Sequence, residues 1–563
     1  MHTPGDSLEG MSETLRPQTP IDALAEEWLD TIVELDPVTG TYIGRTGGDD
    51  RYGDYSPAGA EAFAAAARAT LERLQALEPA DDVDRVTKAD LASDLELDLA
   101  LHDAGWHLRD VNVLESPAQQ IRQVYDLMPT ETEADWRNVA ARLAAVPAAI
   151  DGYMVTLREG IQRGIVPAVR QVHEVAEQSR SFAAAGGFFD QLVDGAPVSG
   201  HLRGELADGA AVAREAYARL ARFFDGVLAP RASSVDGVGR ELYALHSRRF
   251  LGAAVDLDET YEWGIEELAR VTAEQERIAD EILPGATVEE AIAHLEEDVS
   301  RKLVGSDALR AWMQETADRA VAELGASHFD IPEPVRRIEC MIAPTTSGEI
   351  YYTGPSDDFS RPGRMWWSVP EGVETFDTWR ELTTVYHEGV PGHHLQIGQA
   401  VYNRGQLNAW RRLIAGSSGH AEGWALYAER LMEELGYLAD PAARLGMLDG
   451  QRMRAARVVL DIGVHLGKTR PDGEGVWDAD YALEFMRRNV NMDDAFVRFE
   501  VNRYLGWPGQ APSYKVGQRI WEQIRDELAE REGDDFSLKA FHRRALDMGG
   551  VGLDTLRSAL LGS

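Results

Sequence analysis

Pro391 ends any regular helix that enters the stretch Tyr386-His387-Glu388-Gly389-Val390-Pro391-Gly392-His393-His394-Leu395-Gln396. It lacks the N–H that would bond the carbonyl of His387, and it pushes Val390 out of the α region. Gly392 then permits backbone angles that other residues avoid. The break matters because of what flanks it. A zinc site on one helix usually has a glutamate directly after the first histidine and a second histidine four residues after the first. The two rings then lie about 40° apart and roughly 6 Å along the axis, close enough to share one ion. Here the fourth position is the proline itself. On an unbroken helix His393 would sit roughly 120° around from His387 and about 9 Å along. His394 would face the right side but about 10.5 Å away. Neither closes on a metal with bonds near 2 Å. A shared metal therefore requires the helix to break after Val390 and present His393 again, preferred here with His394 in a supporting or structural role; the alternative is a kinked helix whose histidines satisfy polar groups of the core.

The segment Phe376–Val390 reads as the motif helix, with Asp377 as N-cap and Trp379, Leu382, Tyr386 and Val390 as its buried stripe. A second helix begins at His420-Ala421-Glu422-Gly423-Trp424-Ala425-Leu426-Tyr427-Ala428-Glu429. Its small residues Ala421, Gly423, Ala425 and Ala428 allow close approach to a neighbour. That is what a short glutamate–metal bond from a second helix needs. His387, His393 and Glu422 thus form a candidate two-His-one-Glu set for one zinc ion, with a fourth position left for water. Glu429, on the same face two turns on, is an alternative ligand or a supporting partner. Mn²⁺ or Co²⁺ would accept similar ligands.

Sixteen Trp, Tyr or Phe in every two hundred residues and a 44% apolar content suit a chain of 563 residues with sizeable cores. The net charge of -39 repels phosphate backbones and anionic lipid, so no nucleic acid and no membrane surface is expected as partner. No run of about 18 apolar residues is evident, which argues against a transmembrane span. Met1–Pro20 lacks a basic-then-apolar signal pattern and reads as a disordered leader. The lone Cys340 excludes an internal disulfide framework. A cytoplasmic location follows as the expectation, and nothing in the sequence fixes the oligomeric state.

Ile21–Leu35, Ala58–Leu77, Lys88–Asp103 and Trp136–Ile150 carry apolar residues at three- and four-residue steps. The pattern continues through Ala210–Leu228, Leu257–Leu283 and Ser306–Leu324. Asp36–Ser56 and Asp194–Gly209 read as loops. Arg336–Ala343, Glu349–Thr353 and Arg364–Val369 are short, β-branched or aromatic, and bounded by turn residues, which predicts a small sheet. Trp366 and Trp367 alternate faces there. The sheet's edge could hold an extended peptide, or the strands could form a capping hairpin. The fold class is therefore mainly α: one helical superdomain over 21–563, with two lobes around a cleft. Its parts are an N-terminal lobe at about 21–335, the sheet at 336–370 and a catalytic helical region at 371–563.

Taken together, His-Glu-x-x-Pro-Gly-His, Glu-Gly-Trp-Ala-x-Tyr-Ala-Glu and Arg-Tyr…Pro-Gly-Gln-Ala…Tyr-Lys-x-Gly resemble the bacterial domain-of-unknown-function 885 family. So do Asp357-Asp358-Phe359-Ser360-Arg361-Pro362-Gly363 and the Arg457…Asp461…His465 helix. The resemblance runs from about residue 25 to 560. It implies a zincin-like, largely helical fold similar to the thermostable Taq-type carboxypeptidases, and it favours His393 over His394.

Further polar residues complete the expectation. Arg457, Asp461 and His465 recur at four-residue steps inside an apolar helix, as an ion network or a catalytic wall. His465 could donate to the substrate or the tetrahedral intermediate. Tyr514, ahead of Tyr504, is the candidate oxyanion donor by analogy with related zincins. Arg503, Tyr504 and Gln510 are candidate substrate contacts, with Arg503 suited to a carboxylate. Glu388 is the general base. The leading reading is a zinc metallopeptidase, a carboxypeptidase or oligopeptidase acting on a peptide or small amide. The alternatives are hydrolysis of a non-peptide amide and a catalytically silent binding protein.

Overall fold

The structure is a computed structural model that describes residues 15–345 and 350–562. Of the leader expected over residues 1–20, residues 1–14 lie outside the described residues. The rest of it is tied down. Arg16 pairs with Asp22 and Asp81 at 2.6 Å each, and its backbone N–H reaches the carbonyl of Gly405 at 3.0 Å. Thr19 caps the first helix, Pro20–Leu35, in a reciprocal capping box with Asp22.

The chain is mostly helical, and among the described residues it has two small sheets and four clusters of buried apolar side chains. One gathers residues from Val38 to Leu228 around the long helix Glu133–Arg163, whose Leu143, Val146, Ile150 and Leu157 are fully buried. By length and hydropathy this helix is long and apolar enough to cross a membrane, contrary to the sequence expectation of no such run. Its apolar face is spent on the protein's own core. A second cluster joins Trp28 and its neighbours to Trp410, so the first helices close against a segment nearly 400 residues downstream. The largest runs from Tyr243 to Leu561. Helices between residues 240 and 327 share it with the C-terminal helices, so the boundary expected near residue 335 does not separate cores.

Two expected loops carry helix: Pro37–Tyr42 lies within Asp36–Ser56, and Gly200–Phe223 starts inside Asp194–Gly209. Both starts are short polar or Gly-containing stretches whose helicity depends on packing more than on propensity.

The expected small sheet is present. Gly363–Trp367 is its centre, parallel to Ile338–Ile342 and antiparallel to Ile350–Thr353. Strand alternation sends Ile338, Cys340, Met365 and Trp367 onto Leu309 and Met313 of the helix Ser306–Ser327. Trp366 points the other way and stacks on Tyr351. A second sheet pairs Lys302–Val304 with Thr375–Asp377 and delivers the chain into the motif helix. Asp377 takes the N-cap position as expected, but the strand pairing diverts its side chain. The Asp377 carboxylate is drawn to Lys302 Nζ across the strands at 2.9 Å and makes no cap hydrogen bond.

Candidate metal centre

The motif helix spans Thr378–Glu388 and a new helix starts at His393, so the chain breaks where Pro391 requires it. The Val390–Pro391 peptide is cis. Gly392 is packed against the end of the first helix: a Cβ there would lie 1.9 Å from the His387 carbonyl oxygen and 2.5 Å from that of Tyr386. Only glycine fits. Trp379, Tyr386 and Val390 anchor the helix in the large core, while Val385 enters the sheet core. Trp424 of the next helix, Ser418–Glu434, locks the break by donating its indole N–H to the carbonyls of Pro391 at 2.9 Å and Gly392 at 3.2 Å. Glu422 sits two residues earlier on that helix and is carried to the same place.

The result is a compact cluster. The rings of His387 and His393 are 4.8 Å apart and nearly perpendicular. Glu422 Oε2 lies 3.3 Å from His387 Nε2 and 3.6 Å from His393 Nε2. Ligands about 2 Å from a shared tetrahedral ion are about 3.3 Å apart, so these separations fit a common cation. Ligand atoms of His387, Glu388 and His393 also lie within 4.8 Å of one another, which makes Glu388 a rival third ligand. Glu422 is the better match because a single oxygen approaches both Nε2 atoms. The buried Glu388 Oε2, His393 Nδ1 and Glu422 Oε2 have no hydrogen-bond partner among the described residues. The two carboxylate oxygens meet at one buried spot and are costly there unless a further group satisfies them, while His393 Nδ1 lies on the side of its ring away from Glu422.

His387 is oriented from behind. Its Nδ1 is 2.8 Å from Glu429 Oε1, which leaves Nε2 to face the cluster. Gln451 donates to the other Glu429 oxygen at 3.0 Å, and the buried Lys515 ammonium donates to Gln451 at 2.6 Å. Lys515 in turn pairs with Glu267 at 2.9 Å. Burial alone opposes charge on His387, yet Glu422 and Glu429 at its two nitrogens overcome this and raise it to about 10. The same carboxylates offer their field to a dication. Burial also opposes ionisation of Glu422, but His393 and His387 outweigh it and hold its carboxyl well below the ordinary range. Glu388 goes the other way: burial pushes its carboxyl up, partly offset by the two histidines.

His394 is turned away from the cluster. Its Nε2 is 2.7 Å from the Val335 carbonyl and its Nδ1 is 2.9 Å from the Tyr352 hydroxyl. Burial lowers it to about 4, so it stays neutral while it ties the second helix to the sheet.

Tyr514 lies at the start of the helix Ser513–Glu532, not in a loop as expected. Its hydroxyl has no protein partner among the described residues. Burial, then Glu422, raises it, so it keeps its proton as a donor. The Arg457 guanidinium packs 5.1 Å from its ring.

Four expected contacts are placed otherwise. The Tyr504 hydroxyl is fully buried between Arg457, which donates to it at 2.6 Å, and Glu500, to which it donates. Arg503 is occupied by Glu500 at 3.0 Å and by Gln510 at 2.7 Å, so these two candidate substrate contacts satisfy each other. His465 bonds the Tyr504 carbonyl at 3.0 Å and stacks on Tyr243, deep in the core. Fourteen residues beyond Gln451, which meets Glu429 behind the cluster, it lies about 21 Å along the helix from that contact. Asp461 accepts from the Tyr243 hydroxyl at 2.7 Å and the Gly509 N–H at 2.9 Å, which fixes the turn leading to Tyr514. The stripe is thus a structural network at Asp461 and His465. The sequence reading missed Gln451 and Arg454, although continuing the stripe backward from Arg457 at three-residue steps reaches both.

Fold and site define a helical protein with a buried histidine–glutamate cluster that could hold a metal ion. The chain belongs to the family described as bacterial protein of unknown function (DUF885), whose profile matches residues 37–560. A presumed lipoprotein from Colwellia psychrerythraea shares the fold at a TM-score of 0.84 and 21% identity, over 96% of this chain and 98% of that one. A presumed lipoprotein of unknown function from Shewanella oneidensis aligns at 0.75 and 18% identity, over 97% and 100%. A carboxypeptidase from Pyrococcus furiosus aligns at only 0.44 and 12%, over 97% and 96%, too distant to carry function. No curated protein matches the sequence.

Proposed function

We propose that this protein is a metal-dependent hydrolase of amide bonds, a peptidase by preference. The observation that carries the reading is Glu422 Oε2 at 3.3 and 3.6 Å from the Nε2 atoms of His387 and His393, with Glu388 unpaired beside them. His387, His393 and Glu422 would hold one zinc or similar ion. Such an ion supplies a water of lowered pKa and polarises the substrate carbonyl. Glu388, with its carboxyl raised by burial, takes the proton of the attacking water and passes it to the leaving amine. The protonated Tyr514 hydroxyl donates to the oxygen on which negative charge develops. Glu429, held by Gln451, keeps the His387 ring in the tautomer whose Nε2 faces the cluster.

Glu388→Gln tests the reading. It should retain bound metal and abolish turnover of a mixed peptide library read by mass spectrometry. Undiminished cleavage would remove Glu388 from the mechanism. Cleavage of small amides with the peptide library untouched would move the substrate class to non-peptide amides.

A further inference from the structure

We infer that Arg454 is the anion-recognition residue of this site and that its substrates carry a free carboxylate close to the scissile amide. The inference rests on the hydrolase reading above.

The helix Pro441–Leu466 places Gln451, Arg454 and Arg457 at successive three-residue steps, about 4.5 Å apart along its axis. Gln451 is committed to Glu429, behind His387. Arg457 is committed to Glu500 at 2.8 Å and Tyr504 at 2.6 Å. Arg454, between them, has no hydrogen-bond acceptor and no ion-pair partner among the described residues, and its Nε is buried. Its guanidinium carbon is 5.9 Å from the centre of the Tyr514 ring. Arg503, the residue expected to hold a carboxylate, is already taken by Glu500 and Gln510.

The side chain also points the right way. Long helical side chains lean toward the helix N-terminus. Arg454 does so over Gly450, where a Cβ would come within 2.6 Å of its Nη1. That direction carries the guanidinium back toward the turn from which Gln451 reaches Glu429, the partner of His387. Its positive field reaches Glu388, Glu429 and Tyr514.

A guanidinium is always charged and offers a planar fork that matches a carboxylate with two parallel hydrogen bonds. Left half-buried without an acceptor it is unfavourable, and a ligand carboxylate would relieve that. The need for it is electrostatic as well. Glu388, Glu422 and Glu429 surround the cluster, so an anionic substrate would be repelled unless one uncommitted cation faced it. Arg454 is that cation, and Tyr514 remains free to serve the developing oxyanion.

The test measures calorimetric binding of N-acetyl-phenylalanine and its carboxamide to zinc-loaded protein. Wild type should bind the acid at least about ten-fold more tightly than the amide. Arg454→Met should bind the two alike, with zinc content unchanged. Arg454→Lys, which keeps the charge but not the fork, should fall between, and it decides the matter if the methionine variant does not fold. Equal binding of acid and amide by wild type, or an acid preference that survives in both variants, overturns the inference. Binding of neither probe overturns it too. Glu388→Gln should keep the preference. If wild type prefers the acid yet cleaves no amide, the hydrolase reading fails while Arg454 stands.

Discussion

Glu429 Oε1 stands 2.8 Å from His387 Nδ1, reaching across from a neighbouring helix to the first histidine of the motif. The contact sets which nitrogen the cluster receives, and Gln451 keeps the carboxylate in place from the far side. Glu429→Gln and Gln451→Leu should each weaken zinc affinity by about 10–100-fold, the usual consequence of losing a group that orients a ligating histidine. Competition with a chromophoric chelator measures this. A change below about three-fold would leave Glu429 a bystander.

Two glycine-to-alanine changes should have opposite signs. At Gly392 the new methyl would meet the His387 and Tyr386 carbonyl oxygens at 1.9 and 2.5 Å. The backbone must shift, so Gly392→Ala should lose about 2–3 kcal/mol of stability, together with metal binding. Gly204 lies inside the helix Gly200–Phe223 with nothing within 4 Å of its Cβ position. Gly204→Ala should gain about 0.5–1 kcal/mol. Urea unfolding of both proteins gives the comparison.

The two tyrosines should separate by readout. Tyr514→Phe removes the proposed oxyanion donor and should lower kcat by about 10²–10³ with metal content and stability intact. Tyr504→Phe breaks a buried contact with Arg457 and Glu500, and should cost about 1–3 kcal/mol of stability. A kcat loss confined to Tyr504→Phe would reverse the assignment.

Acid should act through His542. It stacks on Phe329 and its Nε2 is 2.8 Å from the Tyr427 hydroxyl. Burial, then Arg525, lowers it to about 3 from an ordinary value of 6.5. Between those values the unfolded chain binds a proton that the folded chain refuses, so stability rises with pH across that window. The contribution is fully present above pH 6.5 and is lost as pH falls toward 3. The stability of wild type relative to His542→Gln should therefore shrink from pH 7 to pH 4, with a limiting slope of about 1.4 kcal/mol per pH unit. A difference constant across that range would show that His542 is not held neutral.

What the sequence made legible follows from local chemistry. Pro391 and Gly392 dictate a helix break whatever surrounds them, and the break lies there. The small residues near Glu422 foretold a close helix neighbour: a Cβ on Gly423 would come within 2.4 Å of the Gly517 backbone. That contact brings the Tyr514 helix in. Glu429 was legible only as one of two roles, because an acid two turns from a ligand can bind metal or support it. The misplacements came from partners distant in sequence. Asp377 kept the N-cap position but turned its carboxylate to Lys302 across a strand pair, and Arg503 and Gln510 turned to each other. His465 shares a helix face with Arg457, yet a periodic stripe does not say how far along the axis the site extends. Arg454 was missed because its mark is the absence of a partner, which only three dimensions reveal.

The most direct test of the central claim is zinc titration of chelator-stripped protein, followed by calorimetry and elemental analysis. Wild type should take up one ion per chain, and His394→Gln should do the same. His393→Ala and Glu422→Ala should lose tight uptake while remaining folded. Uptake by wild type below about a tenth of an equivalent, or wild-type affinity in His393→Ala and Glu422→Ala, would contradict a metal centre on His387, His393 and Glu422.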